Sequence, residues 1–341
     1  MSDGCLEGVW PHSPQRLLRD MLWLLATPDL VTLAEHLAGR PTPAELGLAS
    51  AAQRHAWLAR HADHFRQDES PQAVPRQMAA RPTRRLPPQR MGHYHERLWH
   101  LLLDSAPNTR LLGHNVRITQ RRLTLGELDI LYRTRQNPAP MHLEVAIKFY
   151  LGLPEGPGEQ TSQSRWVGPG GLDSLALKCQ HLRQHQLPLS CTPPARHLLR
   201  HWLAPRDSGE ILPALQPRVA MPGVLFYPWH ATLPPPDGAT PDHRRGLWCY
   251  RKDWPALAES YADAPSMAWL EKPHWLAPPL PEAFDALALQ TASVMPLIDR
   301  YGPQQVMLSH PAHPPLRVMI VPDGWPQQIP LPPYTTTRLS R

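Results

Sequence analysis

Cysteine and lysine are scarce in this 341-residue chain, and long apolar runs are missing from it. The four cysteines form no C-x-x-C pair, which argues against a zinc ribbon, and their low density argues against a disulfide framework. A reducing compartment therefore fits the sequence best. The cysteines are Cys5, Cys179, Cys191 and Cys249.

The sequence pattern also shows neither a secretory signal nor a membrane-spanning segment. Asp3 and Glu7 stand where a signal peptide would carry basic residues. The most apolar early stretch, residues 17–31, is interrupted by Arg19 and Asp20 and is too short to cross a bilayer. We therefore expect a soluble, cytoplasmic protein of bacterial type that has no membrane partner.

Arginine supplies nearly all of the positive charge, because only four of the 35 basic residues are lysines. A lysine that persists in such a composition suits a position that needs a compact ammonium group, or one that can lose its proton. The lysines are Lys148, Lys178, Lys252 and Lys272.

The positive charge is concentrated in one segment of a chain whose formal net charge is +6. Residues 76–122 contain ten arginines and only two acidic residues. A groove for the phosphates of nucleic acid would explain this segment, although a solvated, arginine-rich surface explains the charge alone slightly better. The arginines that would contact nucleic acid are Arg84, Arg85, Arg90, Arg117, Arg121 and Arg122.

Proline content and apolar periodicity divide the chain into four parts. Residues 1–68 predict helices, and residues 69–90 predict a linker or extended arm rich in proline and arginine. Residues 91–229 predict an α/β core, and residues 230–341 a mixed α/β extension rich in proline and tryptophan. In that extension the tryptophans suit core packing better than base stacking.

Two helix signals stand out in the N-terminal part. Thr42 and Glu45 have the spacing of a capping box at a helix start. A second helix is expected from about residue 50 to residue 65, with Trp57 and Leu58 facing inward.

The α/β core shows a regular order of elements. Apolar spacing predicts a helix over 92–103, and alternating patterns predict strands over 110–119, 125–133 and 141–152. A further helix over 172–187 and a strand over 222–229 follow.

Charged residues alternate with apolar ones on two of these strands. Asp129 lies two residues after Glu127, so both point to one face, and His142, Glu144 and Lys148 share one face of the next strand. Neighbouring strands thus present Asp129, Glu144 and Lys148 together. Carboxylate oxygens suit Mg²⁺ or Mn²⁺, and a lysine beside the metal can orient or deprotonate a water. The pattern predicts hydrolysis of a phosphodiester.

This segment resembles the catalytic core of the PD-(D/E)XK nuclease superfamily, and its Holliday-junction-resolvase-like members in particular. The resemblance rests on a G-x-x-x-E helix start at Gly92, a G-x-N-x-R segment at Gly113, the run GELD and an E-V segment followed by lysine. It covers roughly residues 92–187. The whole chain is also similar to a bacterial protein family of unknown activity that is placed near this superfamily.

The resemblance implies a restriction-endonuclease-like core of the α/β class: helix, three-stranded meander, helix and strand. It further implies that Asp129, Glu144 and Glu96 bind Mg²⁺ (or Mn²⁺) and that Lys148 is the catalytic lysine. The implied partner is nucleic acid, DNA in particular, and many nucleases of this type act as homodimers.

The position of Lys148 departs from the family pattern. One residue separates glutamate and lysine in the family and three do so here, which is about 13 Å along a strand instead of about 7 Å. A β-bulge could shorten the gap, or Ala146 could occupy the usual acid position while Glu144 reaches in from a migrated one. In a third alternative the catalytic set is lost, which leaves a nucleic-acid-binding module or a protein-interaction scaffold.

Four accessory residues have two interpretations each. Glu127 suits a metal ligand or a surface acid, and His142 a metal ligand or a core histidine that is hydrogen-bonded. Lys178 and Gln180 stand where superfamily members often place polar helpers, although a solvated helix face explains them as well.

Overall fold

The structure is a computed structural model. It describes residues 16–34, 37–68, 90–137, 139–203, 215–261, 266–272, 275–310 and 313–332. The expected linker at 69–89, with Arg84 and Arg85, lies outside the described residues. In the described part of the chain, no helix combines the length and the apolar character that a membrane span requires.

The described part of the chain begins with four helices, and strands and helices are mixed after them. The helices are α1 (Arg16–Ala26), α2 (Pro43–Leu46), α3 (Ala51–Asp68), α4 (Met91–Ser105), α5 (Leu175–His181), α6 (Leu187–Leu189), α7 (Pro193–Leu203), α8 (Trp254–Glu259) and α9 (Leu287–Tyr301). The strands are β1 (Thr109–Gln120), β2 (Leu123–Thr134), β3 (Met141–Val145), β4 (Lys148–Gly152), β5 (Trp166–Val167), β6 (Gln216–Ala220), β7 (Gly223–Pro228), β8 (Arg245–Tyr250), β9 (Ser266–Leu270), β10 (Asp285–Ala286), β11 (Gln304–His310) and β12 (His313–Val321).

The expected α/β character is present, with two mixed sheets. The first sheet has the order β1-β2-β3-β6, in which β1, β2 and β3 are antiparallel and β6 runs parallel to β3. The second has the order β10-β9-β11-β12-β8-β7-β4-β5. Its central strands β12, β8, β7 and β4 are mutually parallel.

Two neighbouring strands pass from the first sheet into the second at the same place. The expected single strand 141–152 is two strands, because the pairing is interrupted at Ala146 and Ile147. The parallel neighbour is interrupted likewise at Met221 and Pro222, so the strand expected over 222–229 lies in the second sheet and β6 completes the first. Gly223 then allows close approach, since a Cβ there would lie 1.7 Å from the Lys148 carbonyl oxygen.

An N-terminal segment contacts the second strand at this interruption. The Met221 amide donates to Asp29 Oδ1 at 2.7 Å, and the Leu30 amide donates to the Met221 carbonyl at 2.9 Å. Pro222 has no amide hydrogen to donate. Pro222 therefore removes one hydrogen bond of the ladder, while the Ala146 and Lys148 amides still donate to the Ala220 and Pro222 carbonyls at 2.9 and 3.2 Å. Sequence alternation alone cannot reveal the contact with residues 29–30.

The N-terminal helices share a hydrophobic core with the rest of the fold. Thr42 and Glu45 form the expected capping box at α2, and Trp57 and Leu58 are buried as expected. Leu24 of α1 and Trp57 belong to the same buried cluster as Trp248 of β8. The C-terminal tryptophans Trp248, Trp254 and Trp275 are almost fully buried, and their role is core packing.

Candidate active site

Two carboxylates meet where β2 lies beside β3. Asp129 is on β2 and Glu144 on β3, and their carboxyl groups are close enough to hydrogen-bond to each other. Asp129 Oδ2 also accepts a hydrogen bond of 3.0 Å from the Val145 amide. The alternation on both strands therefore brings together the two acids that the sequence singles out.

The environment of Asp129 disfavours its negative charge. Burial has the largest effect, and the charges of Glu144 and, to a smaller extent, Glu96 add repulsion. Together they raise the pKa of Asp129 to about 8, although the Val145 amide acts in the opposite direction. The pair would hold two negative charges at neutral pH only with a cation nearby.

Glu144 is fully buried and is held on both oxygens. His142 Nε2 lies 2.8 Å from Glu144 Oε1, and the Gln186 side-chain amide donates to Glu144 Oε2. The oxygen of the same Gln186 amide accepts a hydrogen bond of 2.8 Å from Lys178 Nζ. His142 thus positions Glu144, and Gln186 links Glu144 to Lys178.

A π-helical turn, residues 182–186, brings Gln186 to this position. It lies between α5 and α6 and places one extra residue in the turn. The register of the side chains shifts accordingly, so that Gln186 rather than Gln180 contacts Glu144. Gln180 stays a prediction that rests on the resemblance, and Gln186 is a contact that the sequence analysis did not single out.

Lys148 binds a partner that the sequence does not indicate. Its ammonium group donates to Asp173 Oδ2 at 2.6 Å, and the Tyr150 hydroxyl approaches the same oxygen at 3.3 Å. The side chains of Lys148 and Asp173 are 28% and 40% exposed, so the ion pair contributes little to stability. Asp173 packs against Gly168, where a Cβ would lie 2.0 Å from its Oδ1.

The two lysines and the two acids form one electrostatic neighbourhood. The pKa of Lys178 is lowered, chiefly by burial and also by the positive charge of Lys148. The negative charges of Glu144 and Asp129 act in the opposite direction. Lys178 therefore lies beside the candidate site, bound to Gln186.

Glu96 and Glu127 meet through an asparagine. The Asn115 side-chain amide donates to Glu96 on α4, and to Glu127 Oε1 at 3.1 Å. Asn115 has a φ of 50°, a left-handed conformation that asparagine tolerates better than most residues, and the strand register sets it opposite Asp129. Glu96 and Glu127 thus lie beside the pair formed by Asp129 and Glu144. In the sequence, Asn115 of the G-x-N-x-R segment is the residue that could have indicated this arrangement.

The donors suit a hard divalent cation. Asp129 and Glu144 offer carboxylate oxygens, which Mg²⁺ and Mn²⁺ prefer, and the crowding that raises the pKa of Asp129 is what a cation would relieve. Among the described residues, no group of three or more His, Cys, Asp or Glu side chains is arranged to hold a metal ion. Mg²⁺ commonly uses only one or two carboxylates and completes its shell with water and phosphate.

The described arginines that are expected to contact nucleic acid lie at the start of α4 and on the β1–β2 hairpin. Arg117 is exposed on β1 and pairs in register with Glu127, and Arg90 is exposed at the start of α4. Arg121 and Arg122 form the exposed tip of the β1–β2 hairpin.

The fold and this site define a mixed α/β protein with a pair of carboxylates, of which Glu144 is buried and Asp129 partly buried, and two neighbouring lysines. A protein-family model described as a domain of unknown function (DUF1853) matches residues 19–311, and the chain belongs to that family. No curated protein and no solved structure matches the chain.

Proposed function

We propose that the protein is a metal-dependent nuclease that hydrolyses phosphodiester bonds, in DNA in particular. The observation that carries the proposal is the meeting of Asp129 and Glu144 on adjacent strands, with Lys148 and Lys178 in the same electrostatic neighbourhood. Paired acids with a nearby lysine are what a phosphodiester hydrolase needs to bind a cation and activate a water.

The order of elements in the first sheet supports the same proposal. Helix α4 precedes three antiparallel strands, the α5–α6 helical segment follows, and β6 then joins the sheet parallel to β3. This order is the one expected of a restriction-endonuclease-like core. The support is at the level of topology, and the function itself is argued from the site.

Each side chain has a defined task in this proposal. Asp129 and Glu144 would hold Mg²⁺ or Mn²⁺, which when bound would polarise the phosphate and lower the pKa of a coordinated water. His142 and Gln186 fix the orientation of Glu144, as outer partners of metal ligands commonly do. Lys148 would orient the attacking water once it leaves Asp173, and Glu96 would assist from α4.

A second candidate is a nucleic-acid-binding module that no longer cuts. The ion pair between Lys148 and Asp173 favours it, because a lysine bound to another acid is not free to act on a water. Asp173→Asn separates the two candidates. Release of Lys148 raises cleavage by a nuclease and leaves a binding module inactive.

The decisive experiment incubates labelled single-stranded, duplex and four-way-junction DNA with purified protein, with Mg²⁺, Mn²⁺ or EDTA. We expect cleavage that requires the metal and that Asp129→Asn and Glu144→Gln each reduce by at least about 100-fold, since each removes a proposed ligand. Asp104→Asn, on the exposed side of α4, is the matched control and should leave cleavage unchanged.

Two results would contradict the nuclease. Cleavage that persists in both carboxylate variants would show that the site is elsewhere. No cleavage by the wild type, with salt-sensitive binding retained, would support the binding module instead. Absence of binding as well would favour a protein-interaction scaffold.

A further inference from the structure

The tip of the β1–β2 hairpin, residues 119–125, projects into solvent. All seven of its residues are exposed, and Leu123 keeps 66% of its accessible surface. The tip contains two arginines and no acidic residue, so its net charge is positive. Leu125, 38% exposed, adds a second apolar side chain. Positive charge beside exposed leucines is a surface suited to an anionic partner that also offers apolar contacts.

The backbone of the tip is costly for the residues that it carries. Arg121 and Arg122 form the two-residue turn with φ values of 47° and 74°. Both angles lie in the left-handed region, where such turns favour Asn-Gly. Both arginine side chains are exposed, so packing in the hydrophobic core does not offset the conformational cost of this turn. Side chains kept at an unfavourable backbone position point to a role in binding.

We propose that this hairpin tip is an arm that enters the major groove of duplex DNA. Arg121 and Arg122 would each contact a backbone phosphate, and Leu123 would contact the methyl group of thymine. The major groove of B-form DNA admits a two-stranded ribbon, whereas the deep, narrow major groove of duplex RNA does not. The inference rests on the proposed nuclease function and deepens it by naming B-form duplex DNA as the substrate.

Arg122 directly precedes β2, the strand that carries Asp129, and this strand sets the distance between the arm and the first of the two carboxylates. Seven strand steps separate Arg122 from Asp129. At about 3.3 Å per residue they span roughly 23 Å. This length corresponds to about seven base pairs at 3.4 Å each. Cleavage is therefore expected about half a helical turn or more from the base pairs that the arm contacts.

The test measures binding in EDTA, where metal-dependent cleavage does not occur. It compares duplex DNA, duplex RNA of the same sequence and single-stranded DNA, each with the wild type and with the double variant Arg121→Asn/Arg122→Gly. Arg110→Asn, an exposed arginine at the other end of β1, is the matched control. Thermal unfolding of each variant is recorded alongside.

We expect the wild type to prefer duplex DNA and the double variant to lose at least about tenfold in affinity. Its plot of log affinity against log salt should be shallower by about two, since two phosphate contacts are lost. The control should bind like the wild type. Because Asn-Gly suits this turn, the unfolding temperature of the double variant should hold or rise, so lost binding would not reflect unfolding.

A second measurement addresses Leu123. Poly(dA)·poly(dT) and poly(dA)·poly(dU) differ only in the thymine methyl group. The wild type should bind the methylated duplex more tightly, and Leu123→Ser should bind both equally. Equal binding of both duplexes by the wild type would overturn the leucine contact.

The arm itself is overturned if the double variant binds duplex DNA like the wild type, or if duplex RNA or single-stranded DNA binds as well as duplex DNA. A failure of the proposed nuclease function would give a different combination of binding and cleavage results. Tip-dependent binding of duplex DNA without any metal-dependent cleavage supports the arm and contradicts the nuclease. Metal-dependent cleavage, together with a double variant that binds duplex DNA like the wild type, supports the nuclease and contradicts the arm.

Discussion

Asp129 couples the stability of the protein to pH. Its pKa is about 8 in the folded protein and ordinarily 3.8, so the folded state binds more protons between these values. A raised carboxyl pKa contributes stability that is fully present below pH 3.8 and is lost as pH rises through about 8. The metal-free wild type should therefore lose stability over this range.

Asp129→Asn should remove that contribution. In EDTA, the unfolding temperature of the variant should fall less between pH 5 and pH 8.5 than that of the wild type, with Asp104→Asn behaving like the wild type. Added Mg²⁺ should stabilise the wild type most at the alkaline end, because binding requires the deprotonated carboxylate. Parallel pH profiles for wild type and Asp129→Asn would show that the Asp129 carboxyl is not perturbed.

At the scale of elements, the π-helical turn of residues 182–186 brings Gln186 into contact with Glu144. Gln186→Leu removes the donor to Glu144 Oε2 and the acceptor of Lys178. We expect metal affinity to fall about 10- to 100-fold, as is usual when a partner of a metal ligand is lost. Titration calorimetry with Mn²⁺ measures it, and Gln180→Leu is the matched control. An equal loss from both variants would place the turn in a different register.

Local pattern predicted the elements that depend on local interactions. Strands β1 and β2 extend within a few residues of their expected bounds, because alternation persists on both. The capping box at Thr42 is equally local. Leu172, the first residue of the helix expected over 172–187, is 78% exposed, since α5 begins only after Ser174 caps it.

Long-range contacts explain what the sequence could not predict. Asp29 contacts Met221, 192 positions away, where β6 gives way to β7, and Lys148 pairs with Asp173, 25 positions away. Asp129 and Glu144, by contrast, need only the alternation of adjacent strands. The acids of the candidate site were therefore predictable, and the partner of its lysine was not.

At the scale of the whole molecule, Asp20 joins three parts of the chain. From α1 its buried carboxylate accepts hydrogen bonds from the Tyr94 hydroxyl at 2.7 Å and the Ala277 amide at 2.8 Å. Burial raises its pKa, and the two hydrogen bonds oppose that effect. Removing the carboxylate would remove the acceptor of two buried hydrogen bonds.

We expect Asp20→Ala to lower the free energy of unfolding by about 2–4 kcal/mol, whereas the exposed Asp104→Ala should change it by less than about 0.5 kcal/mol. Urea unfolding followed by tryptophan fluorescence and circular dichroism measures both. Because Asp20 connects α1, α4 and the C-terminal half, the two signals should remain coincident in the wild type. Separate transitions would show that these parts unfold independently.

The contact between Asp29 and Met221 has a consequence for the newly synthesised chain. The two residues are 192 positions apart, and contacts of such separation form late because closing a long loop costs entropy. Asp129 and Glu144 lie on adjacent strands of a meander and can pair as soon as both strands have left the ribosome. The passage into the second sheet, where Lys148 begins β4, must wait for residue 221. A half-made chain thus has its acids in place before its lysine, so the candidate site would be incomplete while the chain is still being synthesised.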